Sequence, residues 1–160
     1  MTLYILVGAP GSGKSYYAKH NLNDYVYISR DEVRFSMITD EDDYFSKEKQ
    51  VYKEYVRRIK EALLNKDNKA VVADATHLNW PSRRKLLYSL EEIILMNDIK
   101  VIPIVIQASL KTILKRNAGR TGRARVPADN IIDMYDKMTD PKTDVFHYND
   151  IIYVNAEENK

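Results

Sequence analysis

The sequence predicts an α/β domain, a parallel sheet of five strands with helices on both of its faces. Three observations predict it. Short apolar runs recur at residues 3–7, 25–29, 70–74, 101–108 and 151–154. The segments between them carry apolar residues at helical spacing. The first run ends on a glycine-rich turn that opens a helix. Strands that alternate with helices in this way pair in parallel and bury both faces of the sheet.

The chain has 160 residues, 44% of them apolar and 30% charged, enough for one domain (1–160) with a substantial core. It has no cysteine, which excludes a disulfide framework, a thiolate metal site and a cysteine nucleophile. The net charge of +2 is too small for a general nucleic-acid coat, so contact with a polyanion would need a local patch. No basic leader precedes the first apolar run, and that run is far too short to cross a membrane. A cytoplasmic protein without membrane contact is expected.

The first strand, 3–7, runs into Gly8-Ala9-Pro10-Gly11-Ser12-Gly13-Lys14-Ser15. This stretch fits G-x-x-x-x-G-K-[ST] at every fixed position and lies between a strand and a helix, as the motif requires. Glycines let the backbone wrap phosphate oxygens, the N–H groups of the turn form an anion-binding nest, and the helix dipole adds to it. The expected ligand is a nucleoside triphosphate, its phosphates held by Gly8, Pro10, Gly11, Ser12, Gly13, Lys14 and Ser15. Lys14 is expected on the β- and γ-phosphates, and the Ser15 hydroxyl on Mg²⁺.

The second strand, 25–29, leads straight into Arg30-Asp31-Glu32-Val33-Arg34. Polar residues at the carboxyl end of such a strand stand where ligands bind, which makes Asp31 and Arg34 candidates for the site. Asp31 could equally cap a helix beside Ser29. Asp40-Glu41-Asp42-Asp43 reads as a solvated loop. Within 47–65, Val51, Tyr52, Tyr55, Val56, Ile59, Ala62 and Leu63 form a helical stripe, with Ser46 as the expected N-cap. The strand 70–74 ends on Asp74, either a Mg²⁺ ligand of the Walker-B kind or a cap for the next loop. The upstream glycine-rich loop favours the metal. A helix opening near Pro81 carries Leu86, Leu87, Leu90, Ile93 and Ile94. Pro103 removes a ladder donor, so regular pairing of the fourth strand is expected to begin only at Ile104. Ser109 caps a helix bearing Leu110, Ile113 and Leu114. Pro127 starts another, with Ile131, Met134, Tyr135 and Met138 on one face.

Between those last two helices, Arg116, Arg120, Arg123 and Arg125 are set around Gly119 and Gly122. A charge run is usually a solvated face. Here the glycines allow a hinge. A hinged basic segment beside a triphosphate site, about 116–126, reads as a lid whose arginines meet the charge of a migrating phosphoryl group. The class narrows by elimination. Asn65-Lys66-Asp67-Asn68 misses the last Asp of the GTPase element N-K-x-D, and no D-x-x-G follows Asp74. Tyr16 occupies the last glycine position of G-x-G-x-x-G. A motor or remodelling ATPase needs a much larger chain. A small kinase with a lid remains, and Arg34 favours an anionic acceptor over a neutral one.

On these residues the chain resembles the kinase domain of the polynucleotide 5′-hydroxyl kinases of the phage and bacterial repair type. GAPGSGKS, ISRDEVR (28–34), VVADATHLN (71–79) and KRNAGRTGRARVP (115–127) match in order and spacing, with the helix IIDMYDKM after them. The resemblance implies an adenylate-kinase-like P-loop NTPase fold in three layers, α/β/α. It implies ATP as phosphate donor, Mg²⁺, and transfer to the 5′-hydroxyl end of DNA or RNA in nucleic-acid repair. Asp31 then falls on the general base and Arg34 on the residue that binds the acceptor's phosphate, with Thr76 on the same side. Lys14 and Arg120 fall on the charges that stabilise transfer, Arg116 and Arg123 on the ATP phosphates, Ser15 and Asp74 on the metal. Where the family carries D-x-T-N this chain has Asp74-Ala75-Thr76-His77, and His77 is given no catalytic role. No D-x-D-G-T phosphatase motif is present, so a kinase-only chain is expected. Two other readings stay open: a P-loop kinase of a small metabolite such as a sugar acid, nucleoside or antibiotic, and a non-catalytic ATP-binding module. Assembly into a homo-oligomer also stays open. Tyr44 and Phe45, near the acceptor side, could stack on a nucleobase. Tyr16, Tyr17, Tyr52 and Tyr55 read as packing.

Overall fold

Alternation of apolar side chains along the strands sets the architecture. In β1 (Thr2–Val7), Leu3, Ile5 and Val7 join one core and Leu6 joins the other, and all four are shielded from solvent. The computed structural model, which describes residues 1–122 and 125–157, places β1 at the centre of a five-stranded sheet. β3 (Ala70–Asp74) and β4 (Lys100–Gln107) flank it, β2 (Val26–Ser29) lies outside β3, and β5 (Ile152–Asn155) outside β4. Every pairing is parallel. All five residues of β3 are buried, as an inner strand covered on both faces must be.

Helices α3 (Glu48–Leu64) and α4 (Trp80–Met96) cover one face. Tyr55, Ile59, Leu86 and Leu90 pack there against Leu3, Ile5, Val71 and Ala73. Helix α1 (Lys14–Asn21) covers the other, with Ala18 beside Leu6, Val72, Ile104 and Ile106. Helices α5 (Leu110–Ala118) and α6 (Ala128–Asp136) meet over a smaller core of Ala9, Ile113 and Ile131. Among the described residues no helix is long and apolar enough to cross a membrane.

The register brings the functional segments to one edge. Leu6 and Ser29 both pair with Asp74, so the glycine-rich loop after β1, the segment after β2 and the end of β3 emerge side by side. Ligands bind at this carboxyl edge of an open α/β sheet.

Three local features differ from the sequence reading. Residues 30–37 form a full helix, α2 (Arg30–Met37), capped by Ser29, whose Oγ accepts the Glu32 N–H at 3.3 Å. The cap belongs to Ser29, and the Asp31 carboxylate is left for other work. Ser46 does not cap α3, whose N-cap is Lys47 without a side-chain capping bond. Successive turns at 39–42 and 43–46 consume the Ser46 N–H on the Asp43 carbonyl and move the helix start forward. Pro103 does not delay pairing either, because β4 is in register with β1 from Lys100. Val101 bonds Asn149 on the β5 side, so Pro103, two residues on, faces that side too, and there the ladder begins only at Ile104. The missing donor falls where it has no strand to meet.

Candidate active site

The loop after β1 is closed tightly. A Cβ on Gly8 would lie 2.5 Å from Ser12 Oγ and 3.2 Å from the Ile106 carbonyl, so only glycine fits there. Gly13, at φ 107°, ends the loop and caps α1 without a side chain, which leaves the first N–H groups of the helix to an anion. Lys14 Nζ donates to the carbonyls of Gly8 and Ala9 at 2.9 and 3.2 Å and so bends back over the loop. Burial weakens its ammonium and lowers its pKa. Asp74 and Asp31 oppose that shift and Arg120 adds to it, so all three charges are near neighbours of Lys14. Ser12 Oγ is buried without a hydrogen-bond partner among the described residues. These features fit a polyphosphate.

Ser15 Oγ donates to Asp74 Oδ2 at 3.0 Å, and the Tyr27 hydroxyl donates to the same oxygen. Burial and Asp74 raise the Tyr27 pKa, which keeps it a donor. Among the described residues no three His, Asp or Glu side chains cluster as a metal cage. One carboxylate and one hydroxyl suit Mg²⁺, which keeps several waters and shares the phosphates of its substrate. Ser15 and Asp74 would hold it, and the metal would neutralise charge on the phosphates.

Beyond the loop opens a cleft of about 1110 Å³, bounded by Lys14, Asp31, Arg34, Tyr44, Asp74 and Arg120 among others. Asp31 and Arg34 lie a helical turn apart on α2. Arg34 Nη1 donates to Asp31 Oδ1 at 2.5 Å, and the Tyr44 hydroxyl donates to the same oxygen at 2.7 Å. Burial and Asp31 raise the Tyr44 pKa, so it too stays protonated. No hydrogen bond to Asp31 Oδ2 is found among the described residues, and the Asp31 side chain is 62% exposed. Arg34 itself is 4% exposed and donates through Nη2 to both oxygens of Glu48. Its guanidinium stacks over the Tyr44 ring at 4.3 Å. Thr76 lines the cleft, and its carbonyl accepts the Gly8 N–H at 3.0 Å.

The arginine segment stands on the far side. Arg116 Nη1 donates to the Ser12 carbonyl at 3.1 Å and Nη2 to that of Ala156, which places Arg116 on the rim of the loop. Arg120 lines both the phosphate pocket and the wider cleft, and Arg125 lines the cleft. Arg123 lies outside the described residues. Only Gly122 of the two segment glycines has positive φ, at 60°; Gly119 caps α5 in a right-handed conformation. Tyr16 is 43% exposed and stacks on His20, so it is not packing.

Sequence reasoning missed three anchors. Asn117, buried, donates to the Val126 carbonyl at 2.6 Å and accepts the Val126 N–H at 2.9 Å, which ties the two ends of the arginine segment together. Its place next to Arg116 in R-N-x-x-R was the available signal. His77 is buried at φ 45°, with Nδ1–H donating to the Leu6 carbonyl at 2.7 Å and Nε2 accepting from the Tyr55 hydroxyl. Arg83 and Asp144 form a fully buried bidentate pair, joined by Tyr148, Thr139 and the His77 carbonyl. Nothing in the local sequence pattern marks that pair, because its members are 61 residues apart.

A glycine-rich phosphate loop with its Ser–Asp pair, set at the carboxyl edge of a parallel sheet, defines a P-loop phosphotransferase of the kinase type. The family model described as an AAA domain, AAA_33, matches residues 3–141, and the chain belongs to that family. No curated protein matches the chain. A putative kinase from Chloroflexus aurantiacus J-10-fl superposes with a TM-score of 0.74 at 14% identity, over 99% of this chain and 86% of that one. A gluconokinase from Sinorhizobium meliloti 1021 gives 0.59 at 18%, over 97% and 82%. A fungal RNA kinase gives 0.66 at 12%, over 99% and 76%. At these identities the likeness is one of fold. The fold implies ATP as the bound nucleotide and, typically, Mg²⁺.

Proposed function

We propose that the protein is an ATP-dependent polynucleotide 5′-hydroxyl kinase, which moves the γ-phosphate of ATP to the 5′-hydroxyl end of DNA or RNA. The observation that carries this reading is the state of Asp31. Two donors hold Oδ1, and the exposed Asp31 side chain lines a cleft that begins at the phosphate loop, with no hydrogen bond to Oδ2 found among the described residues. A carboxylate held by one oxygen has the other ready to orient a hydroxyl and take its proton as that oxygen attacks phosphorus. Lys14 and Arg120 stabilise the charge on the transferring group, Gly8 to Ser15 hold the polyphosphate with Arg116 at its rim, and Ser15 with Asp74 would hold Mg²⁺; Arg123 is proposed as a further contact to the ATP phosphates. Arg34 fixes Asp31 and, with Thr76, borders the acceptor. On the acceptor side of the cleft, Tyr44 and the 59% exposed Phe45 offer aromatic faces on which a base can stack. A role in nucleic-acid repair follows from that substrate class.

One observation favours a small-metabolite kinase instead. Glu48 and Asp31 already neutralise Arg34, so its cation is not open to an anionic acceptor. The two readings separate in one assay. ATP, Mg²⁺ and the protein are incubated with a 5′-hydroxyl oligonucleotide, and in parallel with gluconate and nucleosides. The oligonucleotide is expected to gain a 5′-phosphate. Lys14→Ala should lower that rate by about 10²-fold or more, and Asp31→Asn by about 10²–10⁴-fold. Phosphorylation of gluconate with none of the oligonucleotide would refute the proposal.

A further inference from the structure

The acceptor side of the cleft holds more donors than its own oxygens satisfy. Arg30 and Arg34 stand one turn apart on α2, and both reach Glu48 at the first position of α3. Glu48 Oε1 and Oε2 accept Arg34 Nη2 at 2.9 and 2.8 Å, and Oε1 also accepts Arg30 Nη2. Even so, the Nε–H of Arg30 and that of Arg34 are both buried without a hydrogen-bond partner among the described residues. Buried donors left unmet are costly. A carboxylate is flat, and both of its oxygens are already engaged. A phosphate presents more oxygens in a tetrahedral arrangement, which can meet two guanidinium forks at once.

We propose that Glu48 is an internal stand-in for the acceptor's phosphate. Its carboxylate keeps the Arg30–Arg34 anion site shut until an acceptor with a phosphate next to its reactive hydroxyl displaces it. The inference rests on the polynucleotide-kinase reading and gives Arg34 the phosphate contact that its ion pairs otherwise withhold. Displacement is cheap on three counts. The Glu48 side chain is 31% exposed, so its charge can turn to water. It sits in the first turn of α3 behind Lys47, whose side chain donates to the Met37 carbonyl at 3.0 Å and makes no capping bond to the helix, so the helix need not unwind. Arg34 keeps Asp31 and Tyr44 as partners, with Tyr44 and Phe45 rings stacked at 4.3 and 5.7 Å, and stays in place when Glu48 leaves. The device is a filter. An internal competitor lowers the apparent affinity of every anion, and only one that satisfies the free donors overcomes it.

Glu48→Gln tests this by removing the charge while keeping the shape. With ADP and Mg²⁺ filling the phosphate loop, binding of a 5′-hydroxyl nucleoside 3′-monophosphate and of the matching nucleoside is measured by calorimetry. The ratio of the two affinities is expected to rise at least fivefold over wild type, and KM in the transfer assay to fall in step for the monophosphate. Glu48→Asp, which keeps the charge but withdraws it by one methylene, should move the ratio the same way by less, and serves if the Gln variant does not fold. A plain anchor for Arg34 would behave oppositely, its loss leaving the ratio level or lower, and that result overturns the proposal. Wild-type transfer to 5′-hydroxyl ends with no rise of the ratio in either variant would overturn this inference alone. No wild-type transfer to any such end would overturn the functional reading, and the inference with it.

Discussion

Replacing His77 by Asn should remove a coupling between pH and the phosphate loop. In the folded chain burial lowers the His77 pKa from 6.5 to about 4, although its bond to the Leu6 carbonyl works the other way. Nδ1 must carry the proton, because a carbonyl only accepts, and Nε2 then takes the Tyr55 hydroxyl. As pH falls below 6.5 the unfolded chain takes up a proton that the folded chain refuses. Stability is therefore lost between pH 6.5 and about 4, and the full gap corresponds to about 3 kcal/mol at 1.36 kcal/mol per unit. Between pH 7 and pH 4.5 the titration removes about 2 kcal/mol. Asn cannot titrate, while its amide can still donate to Leu6. Urea unfolding of both proteins at several pH values in this range measures the difference, read as midpoint times slope. Wild type should lose about 2 kcal/mol more than His77→Asn across the interval. Parallel pH curves for the two proteins would refute the reasoning.

Arg83→Met should lower stability by about 3–5 kcal/mol in the same urea assay, because it strands the Asp144 carboxylate, which is fully buried. The glycines of the arginine segment should differ. Gly119→Ala meets only the Arg116 carbonyl at 3.5 Å, an ordinary contact, and should leave stability and turnover near wild type. Gly122→Val places a branched side chain at φ 60° and should cost about 1–2 kcal/mol and slow phosphoryl transfer. Equal effects of the two substitutions on turnover would show that the positive φ of Gly122 does not matter to phosphoryl transfer.

The order of strands and helices was legible because apolar periodicity and glycine punctuation act locally, and the glycine-rich loop is a contiguous motif. The Ser15–Asp74 contact was not read from the chain, which suggested only that each would face Mg²⁺; it arises because parallel register sets the end of β3 beside the loop after β1. What the chain hid are contacts between side chains far apart in sequence. Glu48 reads as one more polar residue at the start of an amphipathic helix, and only the packing of α2 on α3 turns it toward Arg30 and Arg34. Ser46 and Pro103 failed for a different reason. A capping preference or a missing donor is a local tendency, and neighbouring turns or an absent strand partner decide whether it is expressed.

The hidden contacts also divide the site into parts that move together and parts that need not. Three links join the loop after β1 to the loop after β3: Gly8 N–H to the Thr76 carbonyl, His77 to the Leu6 carbonyl, and Ser15 to Asp74. Arg83 then ties the His77 carbonyl to Asp144 and Thr139, so the carboxyl-terminal segment braces the same unit. Donor phosphates and metal would sit on that braced unit. The base of the arginine segment is held by the Asn117–Val126 clamp and by the Arg116 bonds to Ser12 and Ala156. The proposed acceptor side includes Glu48, a partly exposed residue at the first position of α3. A kinase must hold its reacting atoms rigidly yet exclude water and release product. Here the rigid requirement falls on the sheet edge, and under the proposed function the opening and closing would fall on the arginine segment and on Glu48.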